Sequence, residues 1–266
     1  MRSLKGAVVA VTGASAGIGC ATVLEFAREG ARLAACARRG DRLAALAAAV
    51  RDLGADVLTQ VVDVADGAQV RRFLDLTVER FGRLDVLVNN AGYGVRGRVE
   101  ETPVADYRRL MEVNFLGTVH GCQAAIPVMH RQGSGVIVNV SSIVGHRSMP
   151  GGAAYAATKA AQISLTESLR AELRGTGVTA CSVHPIGTAT EFVEVAARLS
   201  RGRKGGPVGP QQTARDVARA IVRCAKRPRP EVYPYPLSRA VVWLNALAPG
   251  LEDWIWARAA RRAGRL

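Results

Sequence analysis

The stretch AVVAVTGASAGIG, at residues 7–19, decides the fold class. Its first half is a short β-branched run of the kind that forms a buried strand, and an apolar-periodic helix follows the glycines to about Glu29. A strand, a glycine-rich turn and a helix in this order form the context that a dinucleotide fingerprint requires. We therefore predict that Gly13 permits a tight turn, Gly17 allows close backbone approach to a pyrophosphate, and Gly19 allows close packing of helix on strand. The spacing G-x-x-x-G-x-G differs from G-x-G-x-x-G, and a glycine turn without a ligand is the alternative.

Apolar runs and amphipathic helices continue to alternate along the chain. After the first strand, strands are predicted at residues 32–37, 57–64, 84–92, 135–140 and 178–183, with a short edge strand at EVY near residue 232. Helices are predicted between them at residues 41–53, 66–81, 103–131 and 153–174. This alternation argues for a parallel sheet with right-handed crossovers. We predict an α/β fold, a single Rossmann-type doubly wound parallel sheet of about seven strands with helices on both faces.

A second informative stretch, VNVSSIVGHRSMPGGAAYAATK at residues 138–159, holds several reactive side chains. Ser141 and Ser142 follow a predicted strand, and parallel sheets bind ligands at the carboxyl ends of their strands. Tyr155 and Lys159 are four residues apart and share one face of a predicted helix. A lysine beside a tyrosine favours the phenolate and lowers the tyrosine pKa, so that the phenol can donate or accept a proton near neutral pH. The alternative is that Y-x-x-x-K forms an ordinary amphipathic helix face.

The tip of the second predicted strand carries Ala37, Arg38 and Arg39. In dinucleotide folds this tip meets the adenosine ribose, where an acid binds the 2′-hydroxyl and an arginine accommodates a 2′-phosphate. The acid is absent here. Arginine at a helix start opposes the helix dipole, which favours a functional role over a solvated helix start. We predict NADP(H) as the cofactor, with Arg38 binding the 2′-phosphate and Arg39 either sharing that role or solvated.

The composition bounds the compartment and the partners. The net charge is +14, from 36 Lys and Arg against 22 Asp and Glu, but the arginines are scattered, so no nucleic-acid partner is expected. The five cysteines show no C-x-x-C pair, which favours a reducing cytoplasm. The four histidines and the cysteines lack metal-ligand spacing, so no metal is predicted. The apolar run near the start is too short for a signal peptide, and no run reaches the ~18 residues of a membrane span.

The chain changes character after Thr190. The next ten residues are typical of a helix, and RGRKGGPVGPQQ at residues 201–212 has the composition of a mobile loop. We predict that residues 191–212 and the loop at residues 93–101 close the substrate pocket. The apolar side chains in the first of these segments favour an apolar substrate, such as a lipid-like or steroid-like ketone; they are Val193, Val195, Ala196 and Leu199.

The C-terminal segment at residues 237–266 is predicted to be a helical extension of the domain formed by residues 1–236. It contains all three tryptophans, Trp243, Trp254 and Trp256, beside several arginines. Tryptophan and leucine beside arginine is the composition of an interfacial helix, so peripheral membrane contact is one alternative. Packing of the helix on the body or on a neighbouring subunit is the other, and we favour it.

With these pieces in order, the chain resembles the classical short-chain dehydrogenase/reductase (SDR) family over roughly residues 5 to 195. The matching motifs are individually weak and jointly specific: Thr12-Gly13-Ala14-Ser15-Ala16-Gly17-Ile18-Gly19, Asp63-Val64, Asn89-Asn90-Ala91-Gly92, Asn114, Ser142 and Tyr155-x-x-x-Lys159. The resemblance implies a single Rossmann-type domain that forms a homodimer or homotetramer and acts on a small-molecule carbonyl or alcohol.

The resemblance also implies a role for each catalytic residue. Tyr155 would be the general acid for carbonyl reduction and the base for alcohol oxidation, and Lys159 would lower its pKa and hold the nicotinamide ribose. Ser142, rather than Ser141, would orient the substrate carbonyl. Asn114, which is unfavourable in the middle of a helix without a purpose for its side chain, would hold a water that links Lys159 to solvent.

The cofactor site follows in the same way. Asn90 and Gly92 would line it, Asp63 would contact adenine, and Thr190 would meet the carboxamide. The predicted cofactor-binding residues are Gly13, Ser15, Ala16, Gly17, Ile18, Gly19, Arg38, Arg39, Asp63, Val64, Asn90, Ala91, Gly92, Tyr155, Lys159, Pro185, Thr188 and Thr190. One departure from the family is Ile186, which stands where glycine is usual and does not easily adopt a positive φ.

An NADP(H)-dependent oxidoreductase that interconverts a secondary alcohol and a ketone or aldehyde is therefore expected. Two alternatives stay open, because a fold does not fix a function. One is a non-catalytic NADP-binding regulatory protein. The other is a relative associated with a membrane surface and acting on lipid-like substrates.

Overall fold

The computed structural model describes residues 3–200 and 209–262. Its strands are β1 (Val8–Thr12), β2 (Arg32–Ala37), β3 (Val57–Val61), β4 (Val86–Asn89), β5 (Gly135–Val140), β6 (Val178–Val183), β7 (Thr188–Ala189), β8 (Gln212–Thr213) and β9 (Glu231–Val232). Seven of them form one parallel sheet in the order β3-β2-β1-β4-β5-β6-β9, and β7 pairs separately with β8. The direction of strand progression reverses between β1 and β4, which is the switch point where such sheets bind ligands. The predicted fold class is confirmed.

Helices cover both faces of the sheet. They are α1 (Gly17–Arg28), α2 (Gly40–Asp52), α3 (Gly67–Phe81), α4 (Val104–Leu110), α5 (Gly117–Gln132), α6 (Ala153–Glu172), α7 (Phe192–Leu199), α8 (Ala214–Lys226), α9 (Ser238–Leu247) and α10 (Pro249–Arg262). Phe26 and Ile221 pack with Val9 on one face, and Phe73 and Met129 pack with Ala10 on the other. Because both faces are covered, every residue of β1, β4 and β5 is buried, as expected for a parallel sheet.

Two strands are shorter than the apolar runs that predict them. β3 pairs with β2 as far as the register pair Ala37 with Val61, after which the Val62 amide still donates to the Ala37 carbonyl at 3.0 Å. β4 begins at Val86 and ends at Asn89, beyond which the chain turns toward the glycine loop. The residues predicted to extend both strands, 62–64 and 90–92, instead line the cavity described below.

The predicted helix at residues 103–131 is interrupted. Between α4 and α5 the chain makes one π-helical segment, Met111–Leu116, which contains Asn114. π-Helical turns inside helices are frequent at functional sites. This segment sets the position of Asn114 against the loop that follows β4, where Asn114 Oδ1 accepts a hydrogen bond of 3.0 Å from the Tyr93 amide.

The C-terminal helices pack on the body of the domain. Arg147 forms ion pairs with Asp253 at 2.6 Å and Glu252 at 3.6 Å, and Asn245 Nδ2 donates to the carbonyl of His146. None of the helices in residues 3–200 and 209–262 combines the length and apolar content needed to cross a membrane.

Candidate active site

A cavity of about 860 Å³ opens at the carboxyl ends of the strands. Its wall runs from the tips of β2 and β3 across the glycine loop to Tyr155 on α6, and on to α7 and α9. Of the residues predicted for catalysis or cofactor binding, all but Gly19 and Asn114 line it. The sequence motifs that are far apart in the chain therefore meet at one surface.

The glycine loop leaves room that side chains would fill. Gly13 has φ +67°, and a Cβ there would lie 2.6 Å from the Ala91 Cα, while Gly17 has φ +53° and faces Thr190. Gly19 packs against the Gly13 carbonyl, so its part is in helix–strand packing and not in the cavity wall. No side chain caps the first turn of α1, and no acidic residue lies in it. The start of α1 thus fits a pyrophosphate, which its amide groups and dipole would bind.

Asn90 ties the loop after β4 to the glycine loop. Its side-chain amide donates to the carbonyls of Thr12 at 3.0 Å and Gly13 at 3.2 Å. In return, Thr12 Oγ1 accepts from the Asn90 and Ala91 amides. These bonds fix the cavity floor between β1 and β4, where Ala91 and Gly92 also lie.

The two arginines at the tip of β2 differ in their surroundings. Arg39 binds Ser15 Oγ at 3.0 Å and pairs with Glu191. Arg38 is exposed and lines the cavity, and Ala37 beside it is buried. The arginine available to a ligand at this tip is therefore Arg38.

Asp63, just after β3, already accepts hydrogen bonds from other protein groups. Its carboxylate accepts from Arg109 at 2.7 Å and from the Ala65 amide at 3.1 Å. Burial alone would raise the pKa of Asp63, but these hydrogen bonds outweigh burial and lower it. Asp63 stays ionised and lines the cavity beside Val64.

Tyr155, Lys159 and Ser142 lie together at the inner part of the cavity. Lys159 Nζ is 5.6 Å from the centroid of the Tyr155 ring. Burial raises the pKa of Tyr155 above its ordinary value, and a hydrogen bond with Ser142 opposes that rise. The predicted lowering of the Tyr155 pKa is therefore wrong for this structure, because burial of the phenol dominates. The phenol remains protonated, which is the form that can donate to a carbonyl oxygen.

Lys159 is nearly fully buried, and burial lowers its pKa to about 7. Its ammonium group donates to the Val140 carbonyl and to Gln162 Oε1, both at 2.9 Å. The two serines before it have different contacts. Ser141 Oγ donates to the Lys159 carbonyl, whereas Ser142 lines the cavity and its Oγ donates to the Pro185 carbonyl at 3.3 Å.

Asn114 does not line the cavity, and the side chain of Gln162 joins its carbonyl to Lys159. Gln162 Nε2 donates to the Asn114 carbonyl at 2.7 Å and to Thr118 Oγ1 at 2.6 Å, while its oxygen accepts from Lys159. The Asn114 amide donates instead to the Tyr93 carbonyl and to Thr158. Sequence reasoning missed Gln162, although its place three residues after Lys159 on α6 puts it on the same helix face.

A second polar cluster lies near Ser142, with His184 buried and His146, Glu231 and Tyr233 half-buried. His146, His184 and Glu231 offer ligand atoms that lie within 4.8 Å of one another, and this is the group with metal-binding potential in the described part of the chain. Tyr233 Oη donates to Glu231 at 3.0 Å and lies 3.3 Å from His146 Nε2. Burial lowers the pKa of both histidines, that of His184 to about 3, so both are neutral. Sequence spacing could not reveal this cluster, because its members come from three separate strand ends and loops.

The outer wall of the cavity comes from late parts of the chain. Phe192 packs against Tyr155 with ring centroids 5.4 Å apart, and Val193, Val195 and Ala196 follow it along the wall. Leu199 is 42% exposed and is not part of the wall, which corrects its predicted role. Residues near the C-terminus, which the sequence analysis did not assign to the pocket, also line it: Tyr235, Leu237, Ser238, Val241 and Trp256. Residues 201–208 of the predicted loop lie outside the described residues.

Comparison with known proteins gives one consistent result. A family model described as short chain dehydrogenase matches residues 7–198. A dehydrogenase/reductase SDR family protein 7-like from Anopheles gambiae is 32% identical over 275 aligned residues, covering 98% of this chain and 85% of the relative.

Two solved structures show the same fold. A short chain dehydrogenase/reductase from Burkholderia phymatum in complex with NAD superposes with a TM-score of 0.85 at 29% identity, covering 95% of this chain and 97% of that one. An alcohol dehydrogenase from the archaeon Thermococcus sibiricus, complexed with 5-hydroxy-NADP, gives 0.76 at 30% identity, covering 86% and 96%. Similar proteins therefore bind either dinucleotide.

Proposed function

The chain belongs to the short-chain dehydrogenase/reductase family of oxidoreductases, and we propose that it is an NADP(H)-dependent enzyme that interconverts a secondary alcohol and a ketone or aldehyde. The observation that carries the proposal is that Tyr155, Ser142 and Lys159 line the same cavity as the glycine loop, with Lys159 Nζ 5.6 Å from the centroid of the Tyr155 ring. A phenol that can deliver a proton thus faces the space where a dinucleotide and a carbonyl compound would meet.

Three side chains have separate roles in carbonyl reduction. Ser142 donates to the substrate carbonyl and orients it. Tyr155 donates its phenolic proton to the same oxygen as that oxygen becomes an alkoxide, which is general acid catalysis. Lys159, held by Val140 and Gln162, stabilises the phenolate that remains. When bound, the nicotinamide supplies or accepts the hydride.

The proposed preference for NADP(H) rests on the tip of β2. Ala37 adds no negative charge there, and exposed Arg38 can offer a planar fork to a 2′-phosphate. Arg39 is already held by Ser15 and Glu191, so we assign the contact to Arg38. Similar solved structures contain NAD in one case and an NADP derivative in another. The proposed preference therefore rests on the residues of this chain and not on the comparison.

The surroundings of the enzyme are also proposed. The five cysteines are all free thiols in the structure, which suits a cytoplasmic protein. Family resemblance supports a homodimer or homotetramer. The outer wall of Phe192, Val193, Val195 and Val241 supports an apolar substrate.

A substrate screen tests the proposed function. The purified protein is mixed with NADPH and a panel of ketones and aldehydes, or with NADP and the matching alcohols, and the NADPH absorbance is followed. We expect turnover of apolar ketones and, with the matching alcohols, the reverse reaction. Binding of NADPH without turnover of any member would favour the non-catalytic regulatory alternative and contradict the proposal.

A further inference from the structure

Exposed apolar side chains concentrate on the C-terminal helices. In the described residues, six of the twelve exposed large apolar side chains lie between residues 237 and 255. Trp243 is 59% exposed, Trp254 61% and Leu247 85%. Helical spacing puts Trp243 and Leu247 on one side of α9, and Leu251, Trp254 and Ile255 on one side of α10. We call these five side chains and Leu237 the tail face. An exposed apolar patch of this kind marks an interaction surface.

Arginines accompany the tail face, and the acids of the same helices pair with an arginine. The Arg239 guanidinium lies 5.5 Å from the Trp243 ring centroid, and the Arg258 guanidinium lies 5.6 Å from that of Trp254. Both acids of α10, Glu252 and Asp253, pair with Arg147. The result is an apolar face with positive charge beside its two tryptophans.

We propose that the tail face docks on the surface of an anionic lipid bilayer. Tryptophan rings beside arginines are the composition of helices that lie in the membrane interface, with the rings at headgroup depth and the cations on lipid phosphates. The net charge of +14 attracts the protein to such a surface. A second copy is a poorer occupant, because a two-fold contact on this face would bring Arg239 and Arg258 toward their own copies.

The tail face adjoins the cavity. Leu237 belongs to both surfaces, and Val241 and Trp256, on the same two helices, line the cavity wall. Docking would therefore bring the mouth of the cavity to the bilayer. On the proposed function, the substrate is then an apolar carbonyl compound or alcohol that partitions into lipid and enters from it.

Vesicle co-sedimentation tests the docking without any substrate. The full-length protein is mixed with phosphatidylcholine vesicles or with vesicles that also contain phosphatidylserine. We expect sedimentation with the anionic vesicles, and weaker sedimentation at high salt or with neutral vesicles. The variant Leu247→Gln with Trp254→Gln should reduce binding at least about tenfold, since two apolar side chains no longer enter the lipid. The matched control is Leu53→Gln with Val104→Gln, two exposed apolar residues elsewhere, which should bind as the wild type does.

The outcomes separate the alternatives. Wild-type protein that stays in solution with anionic vesicles, or a tail-face variant that still binds them, overturns the proposal. A tail-face variant that changes the oligomeric state, with no vesicle binding by the wild type, shows a subunit interface instead. The thermal midpoint and the NADPH dissociation constant of the variant should match the wild type, because the changed side chains are exposed and outside the cavity. These two measurements keep a failure of docking distinct from a failure of the proposed function.

Discussion

The two ends of the cavity are built by different means. At the dinucleotide end, the wall consists of strand tips, glycine backbone and buried hydrogen bonds, such as those from Asn90 to the carbonyls of Thr12 and Gly13. At the substrate end, the wall includes apolar side chains of α7 and α9, such as Phe192, Val195 and Val241. The first end is built on the strand tips of the domain core, whereas the second comes from helices late in the chain, near α10, which pairs with Arg147 through Asp253.

This difference indicates how the chemistry and the choice of substrate are separated. The proposed catalytic groups lie at the junction of the two ends, where Tyr155 lines the cavity with Ser142 and Lys159 and packs against Phe192. Changes at the dinucleotide end should alter the cofactor or the proton transfer. Changes at the substrate end should alter which carbonyl compound is reduced and whether the protein docks on a membrane.

The largest effect is expected from Tyr155→Phe, which removes the transferable proton and little else. General acid catalysis contributes roughly 10²–10⁴-fold, so turnover should fall by about that factor. The NADPH dissociation constant should change by less than about threefold, since the ring remains. Steady-state kinetics and a fluorescence titration measure the two quantities, and turnover within tenfold of wild type would remove Tyr155 from the mechanism.

The next effect concerns the tip of β2. Ala37→Asp with Arg38→Leu should reverse the preference for NADPH over NADH, because the new carboxylate repels a 2′-phosphate and accepts from a 2′-hydroxyl. Loss of one charge-assisted hydrogen bond costs about 1.5–3 kcal/mol, or roughly 10- to 100-fold in NADPH affinity. Arg38→Leu alone should show this loss of NADPH affinity, and Arg39→Leu is its matched control. Arg39→Leu should change the preference less, since Arg39 is held by Glu191. An equal effect of the two single arginine changes would contradict the assignment of Arg38.

A smaller effect is the pH dependence of stability that Lys159 causes. Burial lowers the pKa of Lys159 to about 7 from an ordinary value of 10.5. Between these two pH values the unfolded chain holds a proton that the folded protein has lost, so this residue makes stability rise with pH. Below pH 7 the amine is charged in both states, and its burial destabilises the folded protein to the full extent. Above pH 10.5 the amine is neutral in both states. The free energy of unfolding of the wild type, relative to Lys159→Met, should therefore rise from pH 7 to 9.5 by at most ~1.4 kcal/mol per pH unit. Urea unfolding at several pH values measures it, and a difference that does not change with pH would show that the lysine pKa is ordinary.

The smallest effect is expected at Gln162, which positions Lys159 and does not reach the cavity. Gln162→Leu removes one of two acceptors of the buried ammonium, which should lower the Lys159 pKa further, by about one unit. The pH profile of kcat/KM should shift to lower pH by that amount. Thr118→Val removes one of the two acceptors of the Gln162 amide and leaves the lysine contact, so its profile should match the wild type. Matching profiles for all three proteins would limit Gln162 to a structural role.

The sequence predicted the dinucleotide end well because its signals are local. The strand, turn and helix around Gly13–Gly17 are consecutive in the chain, and the four-residue spacing of Tyr155 and Lys159 sets their common face on any helix. These motifs meet in one cavity because the carboxyl ends of parallel strands lie on one edge of the sheet.

The features of the site that the sequence did not predict depend on tertiary contacts, which residue spacing does not reveal. The π-helical turn at Asn114 and the Gln162 bridge arise from the packing of α4 and α5 against α6. The cluster of His146 and His184 joins residues on different loops. Burial also changed the sign of the pKa shift at Tyr155, since the sequence shows the neighbouring charge but not the loss of water.

The most direct test of this account is a pair of dissociation constants for the wild-type protein, for NADPH and for NADH, at one fixed salt concentration. We propose that Arg38 selects the 2′-phosphate at the dinucleotide end. NADPH should therefore bind more tightly by roughly 10- to 100-fold, the contribution of one charge-assisted hydrogen bond. Equal affinities, or tighter binding of NADH, would contradict this assignment.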